Sequence, residues 1–341
     1  MVTTRRVAVV RVVMVVLLAV LPAALVFPSP LLRSVASEAT GDLAYRVPPT
    51  VSVLPEDADW AARASPILRE TRTPRVLPAG GFTGRRVVSP AGERALWVWA
   101  TGDPASLLRL ASRNGVTTLY VWVSPGFSRS PATMTRLTEL CRLAAARRLA
   151  VDALGGDPSW AVHPQRAGRW AVEVAKTRRF RRLHLDVEPH ALASWSGHTG
   201  VLSAGLISAV VHARASGMPV DVDIPYWYWT VLTASGEPLD IGIMRRADAI
   251  TVMAYQDSWR KVVAVSRPEL SRAAMRGVRV IVGVNIRRPK GDAPPSSYWG
   301  RSAGEIGREI RMIGAELSRS TVFGGIAIHD AESLARLGRL G

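Results

Sequence analysis

The chain has 341 residues, 48% hydrophobic and 21% charged, which excludes a disordered polymer and leaves enough apolar side chain for a sizeable core. The net charge of +17 is almost wholly arginine, since only Lys176, Lys261 and Lys290 are lysines, and the basic residues do not gather in one run. A nucleic-acid partner is therefore not expected; an anionic cell-wall polymer or membrane surface is the weaker expectation for so basic a chain. The single cysteine, Cys141, excludes an intrachain disulfide, and its apolar helical setting marks it as a small buried hydrophobe.

Arg5, Arg6 and Arg11 precede an apolar run from Val12 to Phe27, and Ser34-Val35-Ala36 offers a small-x-small cleavage site. This pattern resembles a secretory signal. If Val7 to Val10 join it, the run is long enough for an uncleaved membrane anchor. Residues 1–36 are thus read as signal peptide or membrane anchor, and the body of the protein is expected to be secreted or held on the cell surface. Residues 37–92 are broken by Pro48, Pro49, Pro55, Pro66, Pro74, Pro78 and Pro90 and are read as an irregular linker or wrapping segment.

A regular rhythm fills residues 93–341. Strands are predicted at 95–100, 117–123, 149–154, 182–188, 218–223, 249–254, 278–284 and 324–328. Helices are predicted at 104–114, 131–148, 164–176, 202–215, 303–317 and 332–340. Asp103 with Pro104, and Gly115, supply start and stop signals for the first helix. Strands alternating with helices at this spacing predict an α/β fold, a (β/α)8 TIM barrel. The rival, a doubly wound open sheet, lacks its Gly-rich turn after the first strand.

Alternation assigns the faces. Leu119, Val121, Val220, Val222, Val280 and Val282 face the helices. Tyr120, Trp122, Asp221, Asp223, Gly283 and Asn285 face inward. In the fourth strand Leu183, Leu185 and Val187 point one way, and His184, Asp186 and Glu188 the other. Desolvated carboxylates are costly unless partnered, so this inward file calls for a reason beyond packing.

The C-terminal strand ends, where barrel enzymes build their sites, collect Asp186 and Glu188; Gly155 and Gly156; Asp223 with Trp227 and Trp229; Tyr255 and Asp257; Asn285; and His329. Carboxylates among aromatic rings suit a polysaccharide or oligosaccharide, because pyranose faces rest on indoles while hydroxyls take hydrogen bonds. Two neighbouring carboxylates repel, so one pKa should rise. Glu188 raised in this way is a proton donor for a glycosidic oxygen, yet the seventh strand ends in Asn285 and offers no second carboxylate. A buried ion pair with Arg or His is the bland alternative for the pair, and ion pairs with Arg are the bland alternative for Asp221 and Asp223. His163, His190, His198 and His212 are read as ordinary surface or loop residues.

Asp186-Val187-Glu188, Met253-Ala254-Tyr255-Gln256-Asp257, Leu154-Gly155-Gly156 and Gly324-Gly325 resemble strand motifs of family 18 glycoside hydrolases, the chitinases and endo-β-N-acetylglucosaminidases. The resemblance implies a (β/α)8 barrel in which the N-acetyl group of the substrate is the nucleophile. It makes Glu188 the general acid/base, sets Asp186 to orient the acetamido group, and sets Tyr255 to bond its oxygen. The chain departs from that pattern. Arg181 and His184 stand where the family has Asp, His329 lies near its eighth-strand Trp, and one residue is inserted before Asp257. His184 is placed to partner Asp186, and an imidazolium there would lower the Asp186 pKa.

The expectation is a glycoside hydrolase acting on a polysaccharide that contains N-acetylhexosamine. The catalytic residues would be Glu188, Asp186 and Tyr255, and the substrate-binding residues Asp223, Trp227, Trp229, Asp257, Trp122, Asn285, His329, Gly155 and Gly156. No metal or cofactor is expected. The alternatives are a non-catalytic carbohydrate-binding barrel and a metal-dependent hydrolase or deacetylase ligated by His184, Asp186, Glu188 and His329.

Overall fold

The computed structural model describes residues 92–289 and 296–340. The expected signal or anchor and residues 37–91 of the linker lie outside them. Among the described residues, eight parallel strands close into a barrel in sequence order. They are β1 (Glu93–Val98), β2 (Thr118–Trp122), β3 (Ala150–Gly155), β4 (Leu183–Leu185), β5 (Val220–Pro225), β6 (Ala249–Met253), β7 (Arg279–Asn285) and β8 (Phe323–His329). Pairing of β1 with β8, Ala95 opposite Ala327, closes the ring. The helices that follow are α1 (Pro104–Arg113), α2 (Pro131–Ala146), α3 (Gln165–Thr177), α4 (Trp195–Arg214), α5 (Leu239–Met244), α6 (Trp259–Ala274), α7 (Ala303–Leu317) and α8 (Ala331–Leu337).

Local chemistry starts these helices where the sequence predicts. Asp103 accepts from the backbone N–H groups of Ala105 and Ser106 ahead of α1. Ser302 and Glu305 form a reciprocal capping box at α7. Each such cap is worth about 1 kcal/mol. Two helices, α5 and α6, were not predicted. Every residue of α5 is buried, so no polar face marks a helical period. Pro268 lies inside α6, where proline ordinarily signals a break. α4 begins seven residues early, at Trp195.

The inward and outward faces follow the predicted alternation. Leu119, Val121, Leu183, Leu185, Val220, Val222, Val280 and Val282 form the layer between strands and helices. Each contributes roughly 1.5–3 kcal/mol by full burial. A smaller inner cluster holds Ala95, Trp97, Tyr120, Leu154, Ile281 and Ala327. The fourth strand is shorter than predicted. Ladder pairing stops at Leu185, although the Asp186 N–H still donates to the Gly155 carbonyl at 3.0 Å. Residues 186–188 thus leave the sheet and stand at the open end of the ring. Cys141 is half-buried rather than fully so, and burial pushes its thiol up to about 11.

Candidate active site

The barrel interior is stacked in tiers of charge. In the lowest tier, Arg279 meets Glu93 at 2.7 Å, and Arg181 bridges Glu93 at 3.1 Å and Asp152 at 2.6 Å. Burial by itself would raise Glu93, but the Arg181 and Arg279 charges overcome it and hold the carboxyl at about 2. Arg182, one step higher, lies 3.5 Å from Asp221. The bland reading therefore holds for Asp221, which pairs with an arginine. Arg181, at the position where the family 18 pattern has an acid, faces acids from β1 and β3 instead.

The middle tier is His184, Asp223, Trp97 and Tyr120. His184 Nε2 lies 2.8 Å from Asp223 Oδ1, and the Trp97 indole N–H donates to Asp223 Oδ2 at 3.2 Å. The Tyr120 ring stacks on the imidazole with 3.7 Å between centroids. Burial pushes His184 down. Burial, helped by Asp221, pushes Asp223 up. Both effects favour the neutral forms of the two groups over an imidazolium–carboxylate pair. This corrects two expectations: Asp223 pairs with His184 rather than with an arginine, and Asp186 does not receive the imidazole.

The upper tier is the mouth. Asp186 is 9% exposed, and its Oδ1 has no hydrogen-bond partner among the described residues. Burial first, and then Asp223, raises its pKa, opposite to the lowering expected from an imidazolium. Glu188, with 15% of its side chain exposed, is pushed up to about 8 by burial and by Asp186. The arginines of the interior are engaged with Glu93, Asp152 and Asp221 in the tiers below. A buried ion pair with arginine therefore does not account for Asp186 and Glu188.

Beside Glu188 stands His190, which the sequence reading assigned to the surface or a loop. Its Nε2 is 3.6 Å from Glu188 Oε1, longer than a hydrogen bond. Its Nδ1 is 3.0 Å from the Tyr228 hydroxyl. Trp227, Tyr228 and Trp195 surround the imidazole edge-on, at 5.2, 5.8 and 6.4 Å between centroids. Burial pushes His190 down to about 4, so a neutral ring faces the acid.

Tyr255 lies on the same side. Burial, and then the charges of Asp223, Asp186 and Glu188, raise its hydroxyl, and its ring is 5.7 Å from that of His329. The Trp99 indole donates to His329 Nε2 at 3.1 Å. The ring proton therefore sits on Nδ1, 3.4 Å from Asn285 Oδ1. Burial pushes this imidazole down to about 4. Trp122 is half-buried beside Trp99, 5.7 Å between centroids.

Other expected binding residues take different places. Asn285 anchors the loop after β7, donating to the Ser296 carbonyl at 3.2 Å and accepting from the Arg287 N–H at 2.9 Å. Asp257 turns to Lys261 at 2.9 Å; the inserted Gln256 precedes it. Trp227 belongs to the His190 cage, whereas Trp229 is 42% exposed. Gly155 and Gly156 make room for packing. A side chain at Gly155 would strike the Trp170 indole, and one at Gly156 would strike the Asp186 carbonyl. Among the described residues no three His, Cys, Asp or Glu side chains form a cluster suited to a metal ion. No described helix is long and apolar enough to cross a membrane.

His190, Trp97, Trp99 and Tyr228 escaped the site prediction. Trp97 and Trp99 alternate in the first predicted strand on the phase shared by Tyr120 and Trp122, so their signal was present. His190 follows Pro189, and nothing in the sequence shows that the chain turns back over Glu188.

No family model matches the sequence, and no curated protein matches it. Solved structures do resemble the fold. A GH113 β-1,4-mannanase is 12% identical, with 74% of this chain and 93% of that one aligned at a TM-score of 0.50. An endo-β-N-acetylglucosaminidase from Cordyceps militaris is 13% identical, over 78% and 85% of the two chains, with a TM-score of 0.47. A chitinase from Chromobacterium violaceum is 12% identical, over 72% and 98%, with a TM-score of 0.46. At these identities the likeness is one of architecture.

Proposed function

We propose that this barrel hydrolyses a glycosidic bond in a glycan containing N-acetylhexosamine, with Glu188 as general acid/base and Asp186 assisting. One observation carries the reading: a carboxyl held protonated near neutral pH stands beside a second buried carboxyl at the open end of the barrel, while the interior arginines serve deeper acids. A proton donor needs this setting, because efficient transfer wants a pKa near the working pH. Glu188 gives its proton to the leaving oxygen as the C1–O bond breaks. The substrate acetamido oxygen closes on C1, and Asp186 accepts from the acetamido N–H. The Glu188 carboxylate then takes a proton from the water that attacks C1 and reopens the ring. The end of β7 at Asn285, with no carboxylate there, suits a nucleophile supplied by the substrate. The proposal places this activity outside the cytoplasm, on the strength of the basic and apolar N-terminal pattern.

The test is turnover of chitohexaose and related N-acetylhexosamine oligomers by wild type and by Glu188→Gln. Loss of about 10²–10⁴-fold is expected, with kcat/KM of the wild type falling as pH rises through about 8. Equal turnover in the two proteins rejects the assignment. The turn of Asp257 toward Lys261 favours a second reading, a barrel that binds oligosaccharides without cutting them. That reading expects binding sensitive to Trp229→Ala and no product after long incubation.

A further inference from the structure

We propose that the cavity beside the mouth is a subsite for an oxyanion carried by the glycan, a carboxylate or a phosphate, held by Arg129, Arg166 and Arg169. The proposal rests on the glycosidase reading and deepens it to an acidic substrate. The cavity lies over the C-terminal ends of β2 and β3 and has a volume of about 480 Å³, within the range of ligand sites. It reaches the mouth through Trp122, which lines it and lies 5.7 Å from Trp99, whose indole donates to His329. Trp122 and Trp160 supply indoles to its wall, and the three arginines stand exposed around it.

Two acids share the lining, and both are committed elsewhere. Glu173 accepts from the Gly126 N–H at 2.8 Å, from the Ser128 N–H at 2.9 Å and from the Ser128 hydroxyl at 2.7 Å, so it holds the loop after β2. Asp157 accepts from the Ser159 N–H at 2.8 Å and caps the next turn. Arg129 lies alongside Glu173 and helps to lower its pKa, so the Arg129 charge is partly met within the cavity wall. Arg166 uses one amino group on Ser159 Oγ at 3.2 Å and keeps its remaining donors. The Arg169 side chain has no hydrogen-bond or ion-pair partner among the described residues. Planar guanidinium forks in a cavity that is also walled by indoles match an oxyanion attached to a sugar.

The experiment titrates the full chain with three probes: a hyaluronan octasaccharide bearing carboxylates, chitohexaose as the neutral counterpart, and a glycerol-phosphate polymer substituted with N-acetylglucosamine. At low salt, one acidic probe or both should bind at least about tenfold tighter than chitohexaose, equivalent to ~1.4 kcal/mol. The preference should shrink as salt screens it. Which acidic probe wins identifies carboxylate or phosphate. Arg166→Gln and Arg169→Gln should each weaken the acidic probe about fivefold and leave chitohexaose unchanged. Hyaluronan with its carboxylates converted to amides should bind wild type like a neutral glycan, a control that needs no variant. Equal affinity for acidic and neutral probes, or a preference unchanged in the triple Gln variant, overturns the subsite. If chitohexaose is still cut in a Glu188-dependent way, the hydrolase survives that failure. Charge-dependent binding with no cleavage of any probe retains the subsite and removes the hydrolase.

Discussion

Replacing Glu188 with Gln should change how stability depends on pH, in a direction fixed by the site. In the unfolded chain this carboxyl titrates near 4.5, and in the fold near 8. Between those values the folded protein holds a proton that the unfolded chain releases, so wild-type stability falls as pH rises from 4.5 through 8 and levels above it. Each unit is worth 1.36 kcal/mol, and the 3.5-unit gap therefore costs about 5 kcal/mol at pH 9 relative to pH 4. Domains of this kind are stable by only about 5–15 kcal/mol, so the effect is large. Gln keeps the shape and does not ionise. Urea unfolding of the full-length wild type and Glu188→Gln, run from pH 4 to 9, should give curves that agree at the acid end and separate toward the alkaline end, with the variant the more stable. Asp186 and Asp223 add slope to both proteins, and because Asp186 raises Glu188 and Glu188 raises Asp223, the difference between the curves reports the coupled group rather than Glu188 in isolation. Curves that stay parallel within about 1 kcal/mol would show Glu188 ionised and solvated in the fold, and the proton donor would be lost with it.

The lowest tier acts with the opposite sign. Glu93 is held at about 2 against an ordinary 4.5, so its contribution, roughly 3 kcal/mol, is present above pH 4.5 and is lost as pH falls through 2. Glu93→Gln should flatten that acid limb in thermal unfolding, and an unchanged limb would contradict the Arg181–Glu93–Arg279 network. His190→Ala should open the cage to water, lower turnover about tenfold through lost positioning, and move the alkaline limb of the pH–rate profile below 8, toward the ordinary carboxyl value. His190→Gln should restore part of both, whereas a purely structural histidine would alter stability without moving the limb. Gly156→Ala should push the ends of β3 and β4 apart, costing about 1–3 kcal/mol; a variant with wild-type stability in urea would mean the two backbones do not pack as closely as Gly156 and Asp186 do here.

The barrel, the phase of its strands and the inward file on the fourth were legible from the chain alone. These are local matters. Alternation sends Leu183 and Leu185 to the helices and His184 and Asp186 to the interior whatever surrounds them, and Asp103 or Ser302 caps a helix from its own neighbours. The chain alone also placed Asp186 and Glu188 at a strand end, because Pro189 cannot extend the ladder. Which charges meet was set by the closed ring. Arg181 and Arg182 precede the same strand by one or two residues, yet they reach Asp152, Glu93 and Asp221 on other strands, and closure of the ring sets those distances. His184 meets Asp223, 39 residues away, rather than Asp186 beside it in sequence, since residues of one phase on a strand project in parallel while the register of β5 against β4 brings Asp221 and Asp223 alongside. His190 comes to Glu188 because Tyr228 and Trp227, from the loop after β5, close around it. Side-chain alternation has a period of two and is written in each segment; partnership across the barrel depends on register between strands, which no single segment contains.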